Sequence, residues 1–256
     1  MAGLQAYRQI LPAMAYAAWL RLTVQFSRTL LGTAWLGCSM LLTLLVLGSI
    51  YGTLTRVSDW PAYWVYAGIG LLSWSTLSNS ITASCTLLER ARDRLLNQPL
   101  PLGVFVLEEW MTAVLGLLTA LLMLLVVLGW SEPVIWWRLL QGGWLGLVNL
   151  MLGCLWLSLC ISPAAAAIAD LPQLMPILLQ IGFLASPILF FANSLGRLAW
   201  LTRLNPLYGW VCLARDPFLG RMDWGFQLGI AAILVLLVLL LLRWLDRQRM
   251  AVIRWL

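Results

Sequence analysis

A chain of 256 residues that is 62% hydrophobic and only 10% charged carries more apolar surface than a soluble domain can bury, so its composition selects an integral membrane protein. Its net charge of +6 rests on sixteen basic residues, all arginine; without lysine there is no P-loop lysine, and without histidine there is no Ser-His-Asp triad and no histidine metal ligand. The arginines gather at the ends of apolar runs and form no basic face, which is the positive-inside pattern and not the footprint of nucleic acid.

Residues 13–30 open the chain as an amphipathic segment. Trp19, Leu22, Phe26 and Leu30 recur at helical spacing, and Arg21, Gln25 and Arg28 take another face. Such a helix lies in the membrane interface; the plainer reading is a flank that sets orientation. Six runs then carry no charge: 29–55, 60–88, 110–131, 139–169, 171–196 and 224–242. Each holds the roughly 20 apolar residues that a spanning helix needs. The expected fold is therefore all-α: six transmembrane helices forming one domain over 1–256, with 1–30 as a cytoplasmic interface helix and 31–256 as the bundle. No cleavable leader is expected, because the first long apolar run starts near residue 29 and lacks a small-residue cleavage site.

Orientation follows from the arginines. Arg8, Arg21 and Arg28 precede the first span, Arg90, Arg92 and Arg94 follow the second, and Arg243, Arg247, Arg249 and Arg254 follow the sixth. An even number of spans puts these groups on one side, so both termini are expected in the cytoplasm. The segment 197–221 lies outside in this arrangement, its arginines partly offset by Asp216 and Asp223.

The second span opens with the aromatic belt of Trp60, Tyr63, Trp64 and Tyr66, then turns polar in SWSTLSNSITASCT (73–86). Those hydroxyls either pack helices closely or face a hydrated pathway. The loop ERARDRLLNQPLPLG (89–103) predicts a short charged helix with an apolar edge at Leu95 and Leu96, ended by Pro99 and Pro101. A helix of that kind suits docking to a soluble partner; the alternative is a solvated loop. Glu108 and Glu109 begin the third span, with arginine partners expected from the loop or the N-terminal helix. Between the fifth and sixth spans, Asn205 caps and Pro206 starts a short helix that runs to Arg215 and stops before Pro217. With a similar piece at 194–203 it predicts two short re-entrant outer helices, the alternative being a loop that caps the bundle. Cys38, Cys85, Cys154, Cys160 and Cys212 form no C-x-x-C pair and read as small apolar residues.

Five stretches in order resemble the permease subunit of ABC-2 type exporters, within them the polysaccharide and O-antigen export permeases: RLTVQFSRTLLGTAWL (21–36), YAGIGLLSWSTLSNSITAS (66–84), RDRLLNQPLPLGVF (92–105), DLPQLMPILLQIGFLASPILF (170–190) and LNPLYGWVCLARDPFLG (204–220). The chain departs from the family pattern at Leu100-Pro101, where an aromatic-proline pair is common, and in having no lysine there. The resemblance implies a homodimer in a bacterial inner membrane, paired with two copies of a separate ATPase subunit that holds ATP and Mg. It implies no cofactor and no catalytic residue on this chain. Arg90, Arg92, Asp93, Arg94, Leu95 and Leu96 would form the coupling element to the ATPase. Trp19, Arg21, Phe26 and Arg28 would lie on the interface helix. Arg203, Asn205, Pro206, Tyr208, Trp210 and Arg215 would form the outer gate. The substrate would be a polyprenyl-diphosphate-linked glycan, exported during lipopolysaccharide biosynthesis; a teichoic-acid or capsule exporter is a related alternative.

Sixteen Trp, six Tyr and seven Phe suit sugar stacking, although most of them read as interface anchors. Tyr51, Trp74, Phe183, Phe190 and Phe191 are the candidates for channel lining, with core packing as the competing role. A multidrug or antibiotic exporter of the same architecture would differ only in substrate. A membrane enzyme is disfavoured, because adjacent Glu108 and Glu109 point about 100° apart on a helix. A secondary transporter is disfavoured because halves 1–128 and 129–256 show no internal repeat.

Overall fold

The computed structural model describes residues 2–98, 100–191 and 205–254. Among them the chain is helical, with no strand. The helices are α1 (Ala2–Gln25), α2 (Ala34–Leu54), α3 (Trp60–Arg90), α4 (Arg92–Asn97), α5 (Leu102–Ser131), α6 (Val134–Arg138), α7 (Trp144–Ala167), α8 (Leu171–Ala185), α9 (Pro206–Arg215), α10 (Trp224–Arg247) and α11 (Arg249–Ile253). Four stretches are long and apolar enough to cross a membrane: α2, α5, the joined α6–α7 (Val134–Ala167) and α10.

The core gathers around α3. Residues 65–74 are buried without interruption, and α3 packs against α7, α5, α9, α8 and α2. Helix α2 meets it through Gly48 and Gly52, where any Cβ would strike the rings of Trp64 and Trp60. Helix α10 lies on α7, and α1 lies on α5. At 31 residues α3 extends about 47 Å, yet its serines, threonines and Asn79 leave it less apolar than the other long helices. Those hydroxyls divide by face. Ser73 and Ser84 are buried and donate to the carbonyls of Ile69 and Ser80 within their own helix, which is packing chemistry, while Thr76 donates to Leu72 O at the edge of a crevice. Asn79 and Thr82 are exposed. Asn79 lines a crevice of about 290 Å³ between α2, α3 and α5.

Four expectations are corrected. The N-terminal helix ends at Gln25, so Phe26, Arg28 and Leu30 fall in the turn 26–33. There Ser27 and Thr29 donate to the carbonyls of Val24 and Phe26, and Gly32 turns the chain at φ 55°. The buried stripe of α1 is Met14, Ala18 and Leu22, while Trp19 points away. Second, Glu89 and Arg90 belong to α3, and only Arg92–Asn97 form the separate short helix. Third, the helix expected over 171–196 stops at Ala185. Ser186 is extended before Pro187, a residue that disfavours helix at the position it follows. At 15 residues α8 reaches only about 22 Å. Fourth, Tyr63 and Tyr66 are not interface anchors: both are buried. Of the two short helices expected between the fifth and sixth spans, a helix is present at Pro206–Arg215 (α9), whereas 194–203 and Arg203 lie outside the described residues.

Candidate functional site

The polar chemistry collects at the two ends of the bundle. At the end where α3 finishes and α5 begins, Glu108 is 3% exposed. Arg94 of α4 donates to its Oε2 at 3.0 Å, and Arg21 of α1 donates to its Oε1. Arg21 also reaches Glu109 at 2.7 Å, and Arg90 approaches Glu109 at 3.8 Å. Three helices are thus tied to α5 by two adjacent acids. Their directions differ by about 100°, so each meets a different set of guanidinium groups. Arg94 also lies 5.2 Å from the centre of the Phe105 ring, and Arg90 folds back on α3 to donate to the carbonyls of Ala83 and Thr86.

This network fixes α4. Leu95 is 1% exposed and packs with Leu87, Leu88, Leu102 and Leu245. A six-residue helix leaves its last carbonyls without intrahelical partners. Arg249 of α11 supplies them, donating to Leu95 O at 3.2 Å and Gln98 O at 2.9 Å. Among the six residues read as the coupling element, Arg94 and Leu95 therefore hold the helix in place, while Arg90 belongs to α3 and pairs there with Glu109. Arg92, Asp93 and Leu96 face outward, Leu96 being 59% exposed. A second crevice of about 150 Å³ runs from this network toward the one beside Asn79, with Glu109 in its wall at one end and Asn79, Thr112 and Ser158 farther along.

The opposite end is built on Arg215. It is 3% exposed, and among the described residues it takes part in no ion pair. Its guanidinium lies 3.8 Å above the Tyr66 ring, donates to Pro187 O at 3.2 Å and to Tyr208 Oη at 3.2 Å, and so trades water for a ring face and oxygen acceptors. The irregular segment 186–191 is held by the same group of side chains. Tyr66 donates to the carbonyls of Pro187 and Phe190, and Tyr63 donates to those of Leu189 and Gly48. Non-helical backbone inside a membrane protein needs such partners. Asn205 caps α9 by accepting from Leu207 N at 3.0 Å and donates to Gly182 O and Ser186 Oγ, which ties α9 to the end of α8. Trp210 seats against Gly153 of α7, and Gly146 lets the backbone of α9 approach. Burial pushes the Asp216 carboxyl above its usual range, while Arg215 and Arg221 pull it partway back.

The aromatics divide as well. Tyr51 stacks on Phe190 at 6.0 Å and Phe191 meets Tyr66 at 4.7 Å, placing three of the five proposed lining residues in one cluster at the Arg215 end. Trp74 and Phe183 form a separate pair at 5.9 Å, with Trp74 buried. The sequence reading took Tyr63 and Tyr66 as interface anchors and Arg249 as an orienting charge, and it passed over the buried contact of Asn149 with Gln227, in which Asn149 Nδ2 donates to Gln227 Oε1 at 2.5 Å. A signal existed for the last: Asn149 is the one amide within Trp144–Ala167, and Gln227 the one within Trp224–Arg247.

No protein-family model matches the chain, and no curated protein matches it either.

Proposed function

We propose that this chain is the transmembrane subunit of an ATP-driven ABC-2 type exporter that moves a polyprenyl-diphosphate-linked, O-antigen-like polysaccharide across a bacterial inner membrane. The observation that carries the reading is α4. It is a short helix outside the apolar helices, anchored on three sides by Arg94–Glu108, buried Leu95 and Arg249, with Arg92, Asp93 and exposed Leu96 left outward. A stiffly mounted helix with a mixed charged and apolar outer face suits the transfer of force from a soluble motor. The absence of lysine, and with it of a P-loop lysine, fits an ATPase carried on a separate subunit with its ATP and Mg.

In this reading six segments cross the membrane: the four apolar stretches, α3, and α8 with the extended segment after it. Both termini are cytoplasmic, α1 lies along the inner interface, and α9 is re-entrant from outside. Two copies of the chain enclose the pathway and meet two ATPase subunits. The aromatic cluster of Tyr51, Phe190 and Phe191 beside Arg215 offers ring faces to a sliding sugar chain.

Deleting the gene and separately extracting surface glycan and inner-leaflet lipid-linked glycan tests the substrate. Loss of surface polymer with finished polymer trapped inside is expected. Unchanged surface polymer would remove the glycan assignment and leave drug efflux by the same architecture to be measured.

A further inference from the structure

Between α9 and the start of α10 lies a cleft of about 510 Å³ whose charged residues the transport reading does not use. Its lining is divided by chemistry. Asp216, Arg221 and Asp223 come from the short connection between the two helices, while Trp210, Phe226 and Ile230 supply apolar walls. The cleft sits at the N-terminal end of α10, one of the helices long and apolar enough to cross a membrane, so its charged part lies at the depth of lipid headgroups. Phe226 and Ile230 stand four apart on α10, and the exposed Ile233 and Leu240 continue the same stripe toward the other end of the helix.

The three charges form no close ion pair with one another, although Arg215 and Arg221 draw on the Asp216 carboxyl from farther off. Among the described residues Arg221 has no carboxylate within 4 Å. The Asp223 carboxylate accepts from Phe226 N at 3.1 Å and keeps acceptor capacity, and Asp216 is only half-exposed. One guanidinium and two carboxylates thus stand open at the headgroup end of an apolar groove.

We infer that this cleft binds a zwitterionic phospholipid with a primary ammonium: the phosphate on Arg221, the ammonium between Asp216 and Asp223, and one acyl chain along Phe226 and Ile230. A guanidinium is the preferred partner of a phosphate diester. Three N–H donors satisfy two carboxylates, which a trimethylammonium has no N–H to match. A glycerol headgroup brings no cation to the two carboxylates at all. An ammonium next to Asp216 would favour its ionised form against the burial that raises its pKa. The inference does not depend on what the protein transports.

Intact-mass measurement of the full chain, purified with the subunits that accompany it, tests the assignment. The protein is equilibrated with equal amounts of phosphatidylethanolamine, phosphatidylcholine and phosphatidylglycerol, and the retained lipid is identified. Phosphatidylethanolamine is expected to be favoured by about tenfold, one charge-assisted contact's worth. Asp216→Asn combined with Asp223→Asn should erase that preference, Arg221→Glu should lower retention of all three lipids, and Arg221→Lys should keep it. The thermal midpoint in lipid-free detergent, unchanged among variants, separates loss of lipid from loss of fold. Equal retention of the three lipids by the wild type, or an undiminished preference in the double variant, overturns the inference. So does displacement of the lipid by soluble phosphoethanolamine at equal concentration, which would assign the site to a free amine phosphate.

Discussion

Arg215 shows how a charge is kept inside this protein. Moving an unpaired cation out of water is costly, and here the cost is offset by a ring face and by carbonyl and phenol oxygens. The Pro187 carbonyl belongs to backbone that has left the helix, so the cation braces the irregular segment, while its Nε stays buried without a hydrogen-bond partner. Arg215→Ala removes a donor to Pro187 O and leaves a cavity under Tyr66. It is expected to cost roughly 2–4 kcal/mol. Arg215→Lys should recover only part of that, because an ammonium lacks the planar face that stacks on Tyr66. Thermal unfolding in detergent measures both; an unchanged midpoint in the alanine variant would show that Arg215 does not brace the segment. Arg215 and Asn205 were legible as residues of interest, since polar groups in such a chain stand out. Their partners were not, because Pro187 O and Gly182 O are backbone atoms of a distant segment, and no residue type announces them.

At the scale of elements, α4 separates two roles that its sequence runs together. Arg92 and Arg94 are two apart and look equivalent in RDRLLN. On a helix they point about 200° apart, and only Arg94 turns toward Glu108. Arg94→Glu is therefore expected to set two acids against each other and destabilise the chain by about 1–3 kcal/mol, a value between those of exposed and buried pairs. Arg92→Glu should leave stability unchanged and weaken capture of the proposed ATPase subunit. Thermal midpoint and co-purification, measured side by side, distinguish them. Equal loss of stability in both variants would mean that Arg92 also faces inward. The helices themselves were largely readable: apolar runs without charge marked α2, α5, α7 and α10, and the Asn205-Pro206 start marked α9. The early end of α8 was harder to read, because Ser186-Pro187 interrupts a run that stays apolar on both sides, and hydropathy does not register backbone direction.

Across the whole molecule, the arginines of α1, α4 and α11 meet at the end that holds Glu108 and Glu109, and Arg215 and Arg221 mark the other. Much apolar surface remains uncovered within one chain, on α2, α8 and α10 above all. On α8, Gln173 and Gln180 are exposed, seven residues apart and so on one side of the helix. Amides in hydrocarbon require partners. The proposed homodimer would bring two such faces together. A single cysteine at position 180, in a variant otherwise free of cysteine, is expected to cross-link in native membranes to a species of twice 28.6 kDa. Cross-linking confined to other faces of the chain would move the dimer contact away from α8.

Composition and the spacing of charges determined that the chain is helical and built for a membrane, because a bilayer admits few backbone solutions and an excess of apolar residues selects among them. The arginine distribution also marked the two ends. Only the tertiary structure decided which arginine answers which acid, and which face of α3 is packed and which borders a crevice. Those outcomes depend on atoms brought together from 14 to 154 positions apart, Arg94 with Glu108 and Arg249 with Leu95, and local pattern carries no record of such distances.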